Sequence, residues 1–113
     1  MAIVVTTTNP GKLLLTIQQS IEDLIVETWE KDADSDFTPT QSDLKNRAWL
    51  RPRVDETALV LRLVGPEKSK IDAELYGAFH AQFVQLLLTH FSAQISGISV
   101  TPKISKDDNF NPA

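Results

Sequence analysis

The chain has 113 residues, contains no cysteine, and carries 15 acidic side chains against 11 lysines and arginines. This length suits a single domain with its own core, and the lack of cysteine excludes disulfide bonds, thiolate metal sites and a cysteine nucleophile. A net charge of −4 disfavours general binding to nucleic acids or to anionic membranes.

The first elements predicted along the chain are a strand and an amphipathic helix. Residues 3–8 are all β-branched, which favours a strand. Asn9 is a good N-cap and Pro10 suits the first helical position, so we expect a helix over residues 10–23. Apolar residues recur there at spacings of three and four, which predicts one buried stripe: Leu14, Ile17, Ile21 and Leu24.

A second strand, a long acidic loop and a hairpin follow. Residues 25–30 indicate a strand, and residues 31–45 indicate a loop. Residues 46–54 alternate in character, which predicts a strand with two distinct faces. One face carries Ala48, Leu50, Pro52 and Val54, and the other carries Arg47, Trp49, Arg51 and Arg53. A turn at residues 55–56 leads into a further strand at 57–64.

The second half of the chain is expected to hold a long helix over residues 67–93 and a closing strand over 95–102. Residues 104–113 read as a loose polar tail. The predicted order, β-α-β-β-β-α(-β), gives one α+β domain over residues 1–103. It is a two-layer sandwich with two amphipathic helices on one face of an antiparallel or mixed sheet. Because no signal-peptide pattern or apolar run of membrane-spanning length is present, we expect a cytoplasmic protein.

The acidic loop contains a partial calcium-binding pattern. Oxygen-bearing residues occupy the six positions at which an EF-hand loop binds its ion: Asp32, Asp34, Asp36, Thr38, Thr40 and Asp43. The resemblance to the EF-hand covers only these twelve residues. Phe37 stands where the sharp turn requires glycine, and Asp43 is shorter than the usual bidentate glutamate. We therefore interpret residues 32–43 as a solvated loop that binds no metal.

Two other kinds of site are weakly indicated. Residues 9–12 open a helix after a strand, but they lack the upstream glycine and the following hydroxyl residue of a phosphate-binding P-loop. His80 and His90 are separated by roughly 15 Å along the predicted helix, too far to share a metal. We expect His90 in the core and His80 packed with Tyr76 at the surface. No catalytic motif accompanies them, so enzymatic activity stays open and no cofactor is expected.

Charge is segregated along the chain. Residues 22–43 carry eight acids and one lysine, whereas residues 45–53 carry four bases and no acid. If the second and third strands are neighbours, Glu27 and Glu30 can lie near Arg47, Arg51 or Arg53 and help to select the partner strand.

The same run supplies the candidate functional surface. If Leu50 points at the helices, alternation turns a set of Trp and Arg side chains to the opposite sheet face. The predicted partner-binding residues are Trp29, Arg47, Trp49, Arg51 and Arg62. A sheet face open to water should be polar, and Trp and Arg are enriched at the centres of interfaces. The alternative is that one strand has the opposite register, or that residues 31–45 fold back over both rings.

Three functions remain open at this point. The first is a non-catalytic interaction or scaffold protein, a homodimer that associates through the Trp/Arg face or through the apolar helix around residues 84–88. The second is a nucleic-acid or ribosome-associated module that uses the same face. The third is a small-molecule binder or enzyme with a site beside residues 31–45. Because the acidic balance opposes the second, we favour the homodimer.

Overall fold

The computed structural model describes residues 2–101 and 111–112 of the chain. Within them, the β-strands are β1 (Ala2–Thr6), β2 (Trp29–Lys31), β3 (Phe37–Pro39), β4 (Trp49–Val54), β5 (Ala58–Val64), β6 (Lys70–Ile71), β7 (Gly97–Val100) and β8 (Asn111–Pro112). The helices are α1 (Pro10–Glu22) and α2 (Ala73–His90), and a 3₁₀ turn follows at Ser92–Gln94.

The main sheet has six strands in the order β2-β3-β4-β5-β1-β7, and all of its pairings are antiparallel. Strands β6 and β8 form a separate parallel pair. The predicted α+β fold is therefore confirmed, and the open choice between an antiparallel and a mixed sheet is resolved as antiparallel. Most of the predicted C-terminal tail, namely residues 104–110 and 113, lies outside the described residues.

Helix α1 begins where the sequence predicts. The side-chain oxygen of Asn9 accepts the backbone N–H of Lys12 at 3.1 Å, and Pro10 occupies the first helical position, where its missing N–H costs nothing. The face that α1 buries consists of Pro10, Leu13, Ile17 and Ile21.

The end of α1 is less ordinary, because the chain leaves the helix through a leucine in the left-handed conformation. The N–H of Leu24 donates to Ile21 O at 3.2 Å, and the N–H of Ile25 donates to Ser20 O at 2.9 Å. This pair of bonds is a Schellman motif, whose left-handed position is normally a glycine. Leu24 takes it with φ 59°, and its side chain is 70% exposed, so its predicted place in the buried stripe is wrong.

Helix α2 begins later than predicted. Asp72 caps it by accepting the N–H of Leu75 at 2.8 Å, whereas the two residues before the cap form β6 and pair with β8. This pairing holds residues 70–71 in an extended conformation. Because the next residue, Asp72, favours the N-cap position, the helix starts there and not at residue 67. Neither helix within the described residues combines the length and apolar character needed to cross a membrane.

Both helices pack on the same side of the main sheet, which we call the inner face. One cluster of buried side chains joins α1 and α2 to alternate positions of the strands, among them Ile3, Val5, Leu50, Leu59, Leu61 and Leu63. Val60 is also buried, but it is not part of that cluster, because it points to the opposite or outer face. The condition set for the strand faces, that Leu50 points at the helices, is met.

The predicted loop at residues 31–45 contains a strand that the sequence does not reveal. Phe37 in β3 lies opposite Lys31 on one side and Leu50 on the other, so β3 joins β2 to β4. Three residues that end in Pro39 are too few to show a period of two. Strand β2 also begins four residues later than predicted, at Trp29 instead of residue 25.

Candidate functional site

Three of the predicted site residues come together on the outer face of the sheet. In the pairing of β4 with β5, Trp49 lies opposite Val64 and Arg51 lies directly opposite Arg62. Paired residues of antiparallel strands point to the same side, so these four share a surface with Val60. We call Trp49, Arg51, Val60, Arg62 and Val64 the outer patch. Val60 is buried and the other four are half-buried.

Arg51 is fixed within the outer patch by Asp36, which precedes β3. Its Nε and Nη2 donate to the two carboxylate oxygens of Asp36 at 3.0 and 2.8 Å, in a bidentate pair. The Asp36 side chain is only 5% exposed. These hydrogen bonds are the main reason why the pKa of Arg51 is raised; burial opposes the rise, and the charges of Asp36, Asp34 and Asp32 add to it. Arg51 is therefore a permanent cation with its own counter-ion.

Arg62 has no such counter-ion, although it lies directly across from Arg51. It forms no ion pair with any residue that the structure describes, and its buried Nε has no hydrogen-bond acceptor. The indole Nε1 of Trp49 on the neighbouring strand is likewise buried without an acceptor. Native structures pair the great majority of such groups, so two unpaired N–H groups in one patch require an explanation.

The three aspartates of the loop do converge, with ligand oxygens all within 4.8 Å of one another. The backbone N–H groups of Asp34 and Asp36 both donate to Asp32 Oδ1, at 2.9 and 3.0 Å. These bonds form a tight turn in which Ser35 has φ 64°. Because Asp36 is engaged by Arg51, a guanidinium supplies positive charge to this cluster. That the loop binds no metal stays a prediction.

The placement of Trp29 on the outer face is wrong. Trp29 is 1% exposed and lies on the inner face, where its ring meets Phe79 and Phe83 of α2 edge to face, with centroids 5.9 and 5.0 Å apart. The cause is register, since Trp29 pairs with Pro39 while Glu30 pairs with Thr38. Strand β2 begins only at Trp29, so the alternation expected over residues 25–30 does not determine the direction of this side chain.

Arg47 also lies away from the outer patch. Strand β4 starts at Trp49, and before it the chain turns through Asn46, which has φ 62°, so the alternation does not extend back to Arg47. Arg47 is exposed, its Nη1 donates to Asp43 O at 3.4 Å, and it lines a cavity together with Asp72 of the α2 cap.

The basic run makes its ion pairs with partners other than those expected. Glu30 pairs with Lys45 at 3.0 Å, and Arg53 pairs with Asp55 at 3.2 Å. These exposed pairs contribute at most about 1 kcal/mol each. Among the pairs made by the basic run, only that of Arg51 has a buried partner, which distinguishes it from the rest.

The predicted exposure of both histidines is wrong, although His80 packs with Tyr76 as expected. His90 is exposed at the end of α2, and His80 is buried with its ring stacked on Tyr76, centroids 4.1 Å apart. Nδ1 of His80 lies 2.7 Å from Tyr76 O, one turn earlier in the helix. The two histidines therefore do not build a common site.

Sequence reasoning missed Asp36 as part of this surface. An acid at 36 can be linked to a base at 51 only when β3 is recognised as the neighbour of β4. Val60, in contrast, was expected beside Arg62, because it alternates with Leu59 and Leu61 in a predicted strand, and the structure places it there.

Comparison with models of protein families, with curated proteins and with solved structures found no match to this chain.

Proposed function

We propose that this protein is a non-catalytic, cytoplasmic interaction protein that forms a homodimer through the outer patch. The observation that carries the proposal is the outer patch, in which the half-buried Arg62 lies directly across from Arg51 and forms no ion pair with any residue that the structure describes. Carboxylates of a second molecule supply the counter-ion that Arg62 lacks, and the patch has the Trp and Arg content of an interface centre.

A second copy of the chain offers acceptors at the right place. In a face-to-face dimer with its twofold axis along β4, β5 of one copy lies opposite β3 of the other. Arg62 is level with Arg51 along the strands, and Arg51 is level with Asp36. The unpaired guanidinium therefore faces the partner's acidic cluster, while Trp49 on the axis meets the other copy of itself.

Charge supports a protein partner over a nucleic acid. The outer patch carries positive charge from Arg51 and Arg62, but the chain as a whole has a net charge of −4. An anionic polymer would meet this repulsion along its whole length, whereas a second copy brings carboxylates only where the cations lie. Two half-buried arginines directly opposite each other repel, so an acid from outside stabilises the pair.

Sedimentation equilibrium of four proteins tests the proposal. We expect a dimer for the wild type, and folded monomers for Trp49→Ala and for Arg62→Glu. The matched control is Lys12→Glu, the same charge reversal at an exposed position of α1, which should stay dimeric. Far-UV circular dichroism confirms that each variant is folded. A wild type that sediments as a monomer at its highest soluble concentration would contradict the proposal.

Two further measurements separate the alternatives. Leu88 of α2 is 57% exposed, so Leu88→Glu dissociates a dimer built on the apolar helix and leaves one built on the outer patch intact. Titration with single-stranded RNA tests the nucleic-acid alternative. Binding that weakens steeply with salt and is lost in Arg62→Glu would assign the patch to nucleic acid instead.

A further inference from the structure

The acidic turn between β2 and β3 carries more negative charge than the residues around it neutralise. Carboxylate oxygens of Asp32, Asp34 and Asp36 all lie within 4.8 Å of one another. Among the residues that the structure describes, Arg51 is the cation that forms an ion pair with this turn, and it does so through Asp36. Because three carboxylates share one guanidinium, the turn keeps an excess of negative charge.

Two of the three carboxylates are already engaged within the chain. Asp36 is held through both of its oxygens by Arg51, and Asp32 Oδ1 accepts two backbone N–H groups of the turn. Asp34 is exposed, and its carboxylate has no hydrogen bond or ion pair with any residue that the structure describes. Asp34 is therefore the acid of this turn that is free to bind a cation from another molecule.

Asp34 and Arg62 lie on the same side of the sheet, with β4 between them. The carboxylate of Asp34 is beside that of Asp36, which is bound to Arg51 on the outer face. Arg62 lies directly across from Arg51 on the other side, in β5. The outer face therefore has free negative charge beside β3 and an arginine without a counter-ion on β5, and the paired Arg51 separates the two.

We infer that the counter-ion of Arg62 in the dimer is the partner's Asp34, and that these two residues determine which chains can pair. The inference rests on the proposed function, since it requires the twofold axis along β4. That axis brings β5 of one copy over β3 of the other, so each dimer contains two such pairs, one on each side of Trp49. Sheets that pack face to face lie about 10 Å apart, a gap that an arginine and an aspartate can bridge from opposite sides.

Complementary charge reversals test the pairing. In Asp34→Lys both contacts become lysine against arginine, and in Arg62→Glu both become glutamate against aspartate. Each variant alone should be a folded monomer, with the dissociation constant of the dimer raised at least about a hundredfold. An equimolar mixture restores an opposite-charge pair at both contacts, so we expect a 1:1 heterodimer. Sedimentation equilibrium measures the association, and native mass spectrometry identifies the two chains in the dimer.

The matched control is Asp43→Lys, the same reversal at another exposed acid of the segment between β2 and β4. It should stay dimeric alone, and its mixture with Arg62→Glu should associate more weakly than the mixture that contains Asp34→Lys. Asp34→Asn removes only the charge and should weaken the dimer about tenfold, which gives a second reading if lysine disturbs the turn. Far-UV circular dichroism shows whether each variant is folded.

The outcomes separate this inference from the proposed function. If the wild type is a dimer and Arg62→Glu is a monomer, but Asp34→Lys stays dimeric, the proposed dimer stands and another acid is the counter-ion. A mixture of the two reversals that stays monomeric would also overturn the pairing of Asp34 with Arg62. A monomeric wild type would overturn both proposals.

Discussion

The two tryptophans lie on opposite faces of one sheet and are held in different ways. Trp29 on the inner face is sealed between the sheet and α2, with two edge-to-face aromatic contacts. Trp49 on the outer face is half-exposed among arginines and valines. Both indoles have a buried N–H with no acceptor. The same polar defect therefore occurs in two settings that differ in how much packing surrounds it.

The free energy gained by burying each indole explains why the same unpaired N–H has different consequences on the two faces. An indole buries roughly 200 Å², which at about 25 cal/mol per Å² is worth up to about 5 kcal/mol. For Trp29 this gain exceeds the cost of about 1–3 kcal/mol for one unpaired N–H. Trp49 buries less area, and Arg62 adds a second unpaired donor to the same patch. The inner defect is therefore stable within the monomer, whereas the proposed dimer depends on the outer patch, where Arg62 has no counter-ion among the described residues.

The largest expected loss of stability comes from removing Trp29 on the inner face. Trp29→Ala should lower the free energy of unfolding by about 3–5 kcal/mol, because it opens a cavity against Phe79 and Phe83. Trp49→Ala, measured in the monomeric Arg62→Glu background, should lower it by about 1 kcal/mol. Urea denaturation followed by far-UV circular dichroism measures both. Equal losses would show that the two rings contribute alike and that the outer face is a second core.

A smaller effect is expected within the outer patch itself. Arg51→Gln should lower the free energy of unfolding by about 2 kcal/mol, because it leaves the buried Asp36 carboxylate without its two donors. Lys45→Gln breaks the exposed pair with Glu30 and should change it by at most about 0.5 kcal/mol. The double variant Arg51→Gln/Asp36→Asn, compared by urea denaturation, should recover part of the loss. No recovery would mean that Arg51 acts through its packing alone.

The sequence was informative where an element is long enough to show its period. The cap at Asn9, the hairpin β4–β5 and the outward placement of Trp49 and Arg62 follow from capping chemistry and from alternation over six or seven residues. Trp29 was misplaced because its strand has only three residues, too few to determine the register from the sequence. A shift of one residue in register turns every side chain of a strand to the opposite face. Asp36 was missed as the partner of Arg51, since their contact depends on another three-residue strand.

The connection that leads to Trp29 offers a gain in stability. Leu24 holds a left-handed conformation in the Schellman motif, while its side chain is 70% exposed. Leu24→Gly should raise the free energy of unfolding by about 0.5–1 kcal/mol, because it relieves the strain of a Cβ at positive φ. Leu24→Ala removes the same exposed side chain but keeps the Cβ, so it should give no gain in the same thermal or urea melt. A gain in both would trace the effect to the exposed leucine and not to the backbone.

The smallest expected change in stability comes from Arg62→Met, and it distinguishes the outer patch most clearly from the surroundings of Trp29. Arg62→Met keeps an apolar stem of similar length over the sheet and removes the guanidinium with its buried, unpaired Nε. If that group has no partner within the monomer, the free energy of unfolding of the monomer should change by at most about 0.5 kcal/mol, while the dimer is lost. Urea denaturation at dilution and sedimentation equilibrium give the two readings. A monomer weakened by about 2 kcal/mol would show that Arg62 is already paired within its own chain. The outer patch would then resemble the sealed surroundings of Trp29, and the reason to expect a partner there would disappear.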